Sequence, residues 1–180
     1  MKNIVLIGYR CTGKSSVGNM LAIRLRRPFW DIDGLITEQS HLSISEIVSR
    51  YGWDYFRMRE KEIVRKVSRE KGSVIATGGG VLEDHENAET LKKGSVVVWL
   101  SADIDTILNR MKSDPGSVHN RPSLSLGDPF KEVENIMKRR EPGYRRSADF
   151  IIDTSRKDIE STADEICSFL DMPHDRPNLP

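Results

Sequence analysis

A length of 180 residues allows one domain with a sizeable core, and 28 basic against 27 acidic residues leave a net charge of only +1. That balance excludes a bulk field for nucleic acid or anionic membrane, so neither is expected as a partner. The first apolar run, Ile4 to Ile7, is ended by Gly8, too short for a signal-peptide core, and no membrane-length apolar stretch follows; a cytoplasmic protein is expected. Cys11 and Cys167 make no disulfide framework, which fits a reducing compartment.

Ile4 to Ile7 has the length of a buried strand, and from Ser16 onward Val17, Met20, Leu21 and Leu25 follow helical spacing. Between them, Gly8-Tyr9-Arg10-Cys11-Thr12-Gly13-Lys14-Ser15 fits the Gly-x4-Gly-Lys-Ser/Thr pattern of a phosphate-wrapping loop. Strand, loop and helix give that pattern its required setting. There the backbone N–H groups and the positive end of the helix dipole converge on a nucleotide's phosphates. Lys14 adds a mobile charge, and Ser15 would place its hydroxyl on a magnesium ion bridging the same phosphates.

Beyond Pro28, residues 29–33 read as a second buried strand ending in acid, and 35–70 as helices with a break at Gly52. A third strand over 73–77 runs into Gly78-Gly79-Gly80. Helix, strand and helix follow near 84–92, 95–100 and 103–111. Residues 112–127, rich in proline, glycine and serine, read as a loop of lid length. A helix near 129–141, a strand over 150–152 and a helix over 157–170 close the domain, and the proline-rich tail from 171 to 180 is expected to be disordered. The alternation predicts α/β architecture with a five-stranded parallel sheet and ligands at the strands' carboxyl ends.

The phosphate loop, the Asp31/Asp33 pair and the triple glycine each directly follow a predicted strand, so all three are expected at one edge of the sheet. Asp31 and Asp33, two apart on an extended strand, would project the same way and need a magnesium ion or arginines nearby; the bland alternative is a pair capping the next helix. Arg57 has Glu60 one helical turn on, able to hold its guanidinium as a carboxylate clamp, against the alternative of a solvated charged face. Gly78-Gly79-Gly80 lets the backbone approach a ligand and donate N–H groups. Asp31-Ile32-Asp33-Gly34 also meets the loose Asp-x-x-Gly of GTPase switches, but no guanine-reading Asn/Thr-Lys-x-Asp accompanies it.

Together the phosphate loop, Asp-x-Asp, Phe-Arg-x-x-Glu, the triple glycine, Arg121-Pro122 in the lid and the late Arg140-x-x-x-Tyr144 resemble the shikimate kinase family, within the P-loop nucleoside-monophosphate-kinase-like group. Gluconate and adenylate kinases share only the first element convincingly. The resemblance covers residues 1 to about 170. It implies a three-layer P-loop kinase fold with a mobile lid, a substrate-binding region over 33–61, and ATP-dependent phosphorylation of the shikimate 3-hydroxyl by a monomer.

Residue by residue, it implies nucleotide binding by Gly8, Cys11, Thr12, Gly13, Lys14, Ser15 and Ser16, with magnesium held by Ser15 and, through water, Asp31. Arg110 would stack on adenine, and Arg156 belongs to a segment similar to the family's second adenine-contacting loop. Asp33 would bind the substrate hydroxyls and accept the proton of the attacking one. Arg57 and Arg140 would clamp the substrate carboxylate, Gly78, Gly79 and Gly80 would line its site, and Arg121 would reach the transferring phosphate; Lys14, Asp33 and Arg121 form the catalytic set. Cys11 stands where the family has glycine, Val48 stands where it often presents an aromatic that Tyr51 or Trp53 would replace, and the lid is longer. A kinase for another hydroxy acid such as gluconate is the alternative, and a nucleotide-binding regulator without catalysis a third reading.

Overall fold

The computed structural model describes residues 1–113 and 128–171. Strands β1 (Asn3–Ile7), β2 (Phe29–Asp31), β3 (Val74–Ala76), β4 (Ser95–Ser101) and β5 (Phe150–Asp153) form one five-stranded sheet in the order β2-β3-β1-β4-β5. Every neighbouring pair is parallel. Parallel neighbours need long crossovers, and helices supply them: α1 (Lys14–Leu25), α2 (Ile32–Ser40), α3 (Ile44–Val67), α4 (His85–Lys92), α5 (Ile104–Ser113), α6 (Pro129–Ser147) and α7 (Ile159–Asp171), with a short 3-10 turn at Val81–Glu83.

The period-2 alternation of the central strands sorts the core into two layers. Ile4 and Leu6 of β1 join Val96, Val98 and Leu100 of β4 against Val17 and Leu21 of α1 and Ala163 and Ile166 of α7. Val5, Ile7, Val97 and Trp99 face the other way, onto Ile32 and Ile36 of α2, Ile47, Phe56 and Ile63 of α3 and Leu91 of α4. Burial of each Val, Leu, Ile or Phe side chain among them contributes about 1.5–3 kcal/mol. A one-residue slip of β1 would exchange the two sets between faces of different shape.

Several boundaries differ from the sequence reading, for physical reasons. Helix α1 begins at Lys14, immediately after Gly13 at φ 93, rather than at Ser16. Strand β2 stops at Asp31, whose carboxylate caps α2 by accepting the Gly34 N–H at 3.2 Å. Asp33 therefore lies in the first helical turn, so the expected pair projecting from one extended strand is corrected. The preference of Asp for an N-cap, with Ile32 and Ile36 buried one turn apart, wins over extension of the strand.

Helix α6 runs past residue 141 to Ser147 despite Pro142. Tertiary contacts outweigh the lost backbone bond: Pro142 is exposed, while Tyr144 and Ser147 on the inner face are buried. Gly52 breaks α3, as expected, at φ 83 and ψ 169. Residues 112 and 113 end α5. The rest of the expected lid, with Arg121, lies outside the described residues, as does the expected disordered tail apart from Asp171, which ends α7 instead.

Candidate active site

Leu6, Ala76 and Asp31 are matched in register across β1, β3 and β2. The phosphate loop, the triple glycine and the Asp31 cap thus leave the sheet side by side at its carboxyl edge. Gly8 is fixed by space and by backbone: its φ is 138, and a Cβ there would lie 2.2 Å from the Leu100 carbonyl oxygen.

At the other end of the loop, Gly13 has no side chain to cap the start of α1, where helix N–H groups favour an anion. Lys14 is only 7% exposed. Its Nζ donates to the Tyr9 carbonyl at 2.6 Å, an oxygen that also accepts the Thr12 hydroxyl at 2.8 Å. The Ser15 hydroxyl donates to the Asp31 carboxylate, in a cavity also lined by Cys11, Ser16 and Asp33. One serine oxygen and one carboxylate are hard, oxygen-only donors of the kind that suits magnesium.

Cys11 holds φ 62, a left-handed conformation that costs a residue with a Cβ about 1–2 kcal/mol. Arg110 braces that strained peptide. Its guanidinium donates to the Cys11 carbonyl at 3.2 Å, to Thr154 Oγ1 at 3.1 Å and to the Thr154 carbonyl at 2.6 Å. These bonds join the phosphate loop to the segment after β5 across a second cavity. Lys157, Asp158 and Ile159 line it beside Thr12 and Gly13, while Arg156 is exposed in the turn before them.

A third cavity lies on the far side of the phosphate loop, between Gly78-Gly79-Gly80, α3 and α6. Arg57 and Arg140 both face it. Arg57 donates to Glu60 at 2.6 Å and to Glu83 at 3.3 Å, and Arg140 donates to the same Glu83 oxygen at 3.0 Å. Two guanidinium groups joined by one shared carboxylate, Glu83, make a pre-set fork for an anionic group. Burial opposes the charge of Glu83, but the bond from Arg140 and the charges of Arg140, Arg139 and Arg57 prevail and hold its carboxyl below the usual range. The sequence reading missed Glu83; its place three residues beyond the triple glycine was the available signal.

Gly78 and Gly80 stand close against the charged side chains of the site. A Cβ on Gly78 would lie 2.7 Å from Asp33 Oδ1 and 3.0 Å from Glu60 Oε1, and one on Gly80 would lie 2.3 Å from Arg57 Nη2. The buried Tyr144 hydroxyl donates to the Gly79 carbonyl, and burial pushes that phenol well above its ordinary range. Because the peptide is trans and planar, the Gly80 N–H points away from Tyr144. Of the two aromatics weighed as replacements at Val48, Trp53 lines the cavity and carries the Arg57 guanidinium 5.7 Å from its ring centroid. Tyr51 is 56% exposed and pairs with Tyr55 instead, and Val48 packs against the core.

Glu60 is 1% exposed, and burial raises its carboxyl above the ordinary 4.5, with Arg57 opposing the rise. The native state then holds this proton at pH values where the unfolded chain has released it. Stability falls as pH rises from 4.5 through the raised native value. Glu60→Gln is expected to remove that part of the slope, measured by urea unfolding at about pH 4.5 and about pH 7.5.

No described helix is long and apolar enough to cross a membrane. The shikimate kinase family model matches residues 10–171. A shikimate kinase of Syntrophus aciditrophicus is 44% identical over 173 residues, covering 92% of this chain and 89% of the relative. One from Caldanaerobacter subterraneus is 42% identical, covering 92% of this chain and 94% of the relative. The solved structure of the Acinetobacter baumannii shikimate kinase in complex with shikimate superposes with TM-score 0.88 at 32% identity, over 94% of this chain and 93% of that one. With a phosphate loop facing an arginine-clamped cavity across Asp33, and with near full-length similarity to these enzymes, the chain belongs to the shikimate kinase family.

Proposed function

We propose that this protein transfers the γ-phosphoryl group of ATP to the 3-hydroxyl of shikimate, giving shikimate 3-phosphate and ADP. One observation carries the reading: Asp33 lines both the phosphate-loop cavity and the arginine-clamped cavity, so a carboxylate stands where an acceptor hydroxyl would meet a nucleotide's terminal phosphate. Arg57 and Arg140 suit the substrate carboxylate, and fixing that end sets the distance from the ring hydroxyl to the phosphate loop. Asp33 takes the hydroxyl proton as the oxygen attacks. Lys14 and the N–H groups at the start of α1 hold the phosphates, and Arg110 and Arg156 serve the adenine side.

Ser15 and Asp31 would hold magnesium, which when bound neutralises charge on the β- and γ-phosphates. Arg121 is assigned to the transferring phosphate on the family resemblance. Shikimate-dependent ADP release with magnesium tests the reading. Turnover with shikimate and none with gluconate is the expected outcome, and the reverse would move the protein to the sugar-acid kinases.

Gly80→Ala tests the clamp. Gly80 sits at φ −106, which alanine accepts, so the added methyl acts by displacing Arg57 and Arg140. KM for shikimate is expected to rise about tenfold or more, with little change in thermal midpoint. An unchanged KM in steady-state kinetics would detach the arginines from the carboxylate.

A further inference from the structure

Arg10 lies inside the phosphate-loop pattern at a variable position, and nothing in that pattern assigns it a task. Its surroundings do. Together with Asp33 and Ile44, it lines both the phosphate-loop cavity and the arginine-clamped cavity, so a cation and a carboxylate flank the passage between them. Its Nε is buried without a hydrogen-bond partner among the described residues, an expensive arrangement for a donor on a charged group. Its guanidinium sits 5.8 Å from the Tyr9 ring centroid, and that same ring has the Arg140 guanidinium at 6.0 Å. Its backbone nitrogen would be 3.3 Å from a Cβ on Gly79, which places the start of the side chain against the triple glycine. Arg57, Arg140 and Arg10 thus lead from the acceptor's far end toward the nucleotide.

We propose that Arg10 contacts the phosphoryl group as it crosses that passage and keeps hold of it on the product. The inference rests on the kinase reading above. In the transfer, the acceptor oxygen forms its bond to phosphorus as the bond between phosphorus and the ADP oxygen breaks, and the acceptor proton goes to Asp33. Negative charge on the three equatorial oxygens moves with phosphorus from the Lys14 side toward the acceptor cavity. A guanidinium that lines both cavities and is already packed beside the Tyr9 ring meets that charge along the path. Shikimate itself offers that position only a neutral hydroxyl, whereas shikimate 3-phosphate offers it a dianion. Arg10 therefore discriminates product from substrate.

The test is Arg10→Met and Arg10→Lys in the full chain, with steady-state kinetics and with equilibrium binding of shikimate and of shikimate 3-phosphate followed separately. For Arg10→Met, kcat is expected to fall about 10- to 100-fold and affinity for shikimate 3-phosphate about tenfold, with shikimate affinity nearly unchanged. Arg10→Lys should restore part of kcat. A raised KM for shikimate at constant kcat would make Arg10 a third carboxylate ligand and overturn the proposal. So would a lowered thermal midpoint with normal kcat and normal product affinity, the signature of packing on Tyr9 alone. Absence of shikimate-dependent ADP release in the unmodified protein would instead defeat the kinase reading, so the two failures are distinct.

Discussion

Lys14→Met is expected to lower kcat about a thousandfold or more while the protein stays folded. Methionine keeps most of the aliphatic stem in a position that is only 7% exposed, and it removes a charge from a buried site. The Tyr9 carbonyl that loses the ammonium donor keeps the Thr12 hydroxyl at 2.8 Å, so that acceptor is not orphaned. The loss falls on the transition state, where negative charge spreads over the transferring group and little else in the loop is mobile enough to follow it. ADP release with saturating substrates, beside a thermal melt, separates the two effects. A melt shifted far down would mean that the ammonium is a structural strut, and retained turnover would take Lys14 out of the chemistry.

Asp33→Asn is expected to lower kcat about a hundredfold or more, with shikimate still bound. The amide keeps the size and much of the hydrogen bonding of the carboxylate but takes no proton. The cap of α2 is untouched, since Asp33 lies in the first turn while the cap itself is Asp31. Losing one negative charge at a helix start costs about 0.3–1 kcal/mol. Shikimate affinity by calorimetry, read beside single-turnover rates, distinguishes a proton acceptor from a binding group. Loss of affinity with an unchanged rate would assign Asp33 to binding alone.

Both effects arise at one sheet edge, and most of that edge was legible beforehand. The phosphate loop has fixed spacing, and the triple glycine closely follows a strand with an apolar centre, Val74 to Ala76, so local pattern was enough for both. The helical position of Asp33 was not legible, because Asp-Ile-Asp satisfies a strand end and a helix cap equally and only the burial of Ile32 against Ile36 decides. Glu83 escaped notice because its partners, Arg57 and Arg140, come from helices far away along the chain. The end of α6 was misplaced because proline ordinarily stops a helix, and the burial of Tyr144 that carries α6 onward is a tertiary fact.

The broken helix α3 carries a consequence for what evolution can place at residue 52. Gly52 has φ 83 and ψ 169, yet a Cβ added there meets nothing within 4 Å. Volume is thus no obstacle, and only handedness is: this backbone region is closed to ordinary L-amino acids, whereas its mirror image lies in their extended range. A D-alanine introduced by chemical synthesis would suit this backbone where L-alanine does not, and the genetic code, having no such residue, leaves glycine as the sole unstrained choice at that bend.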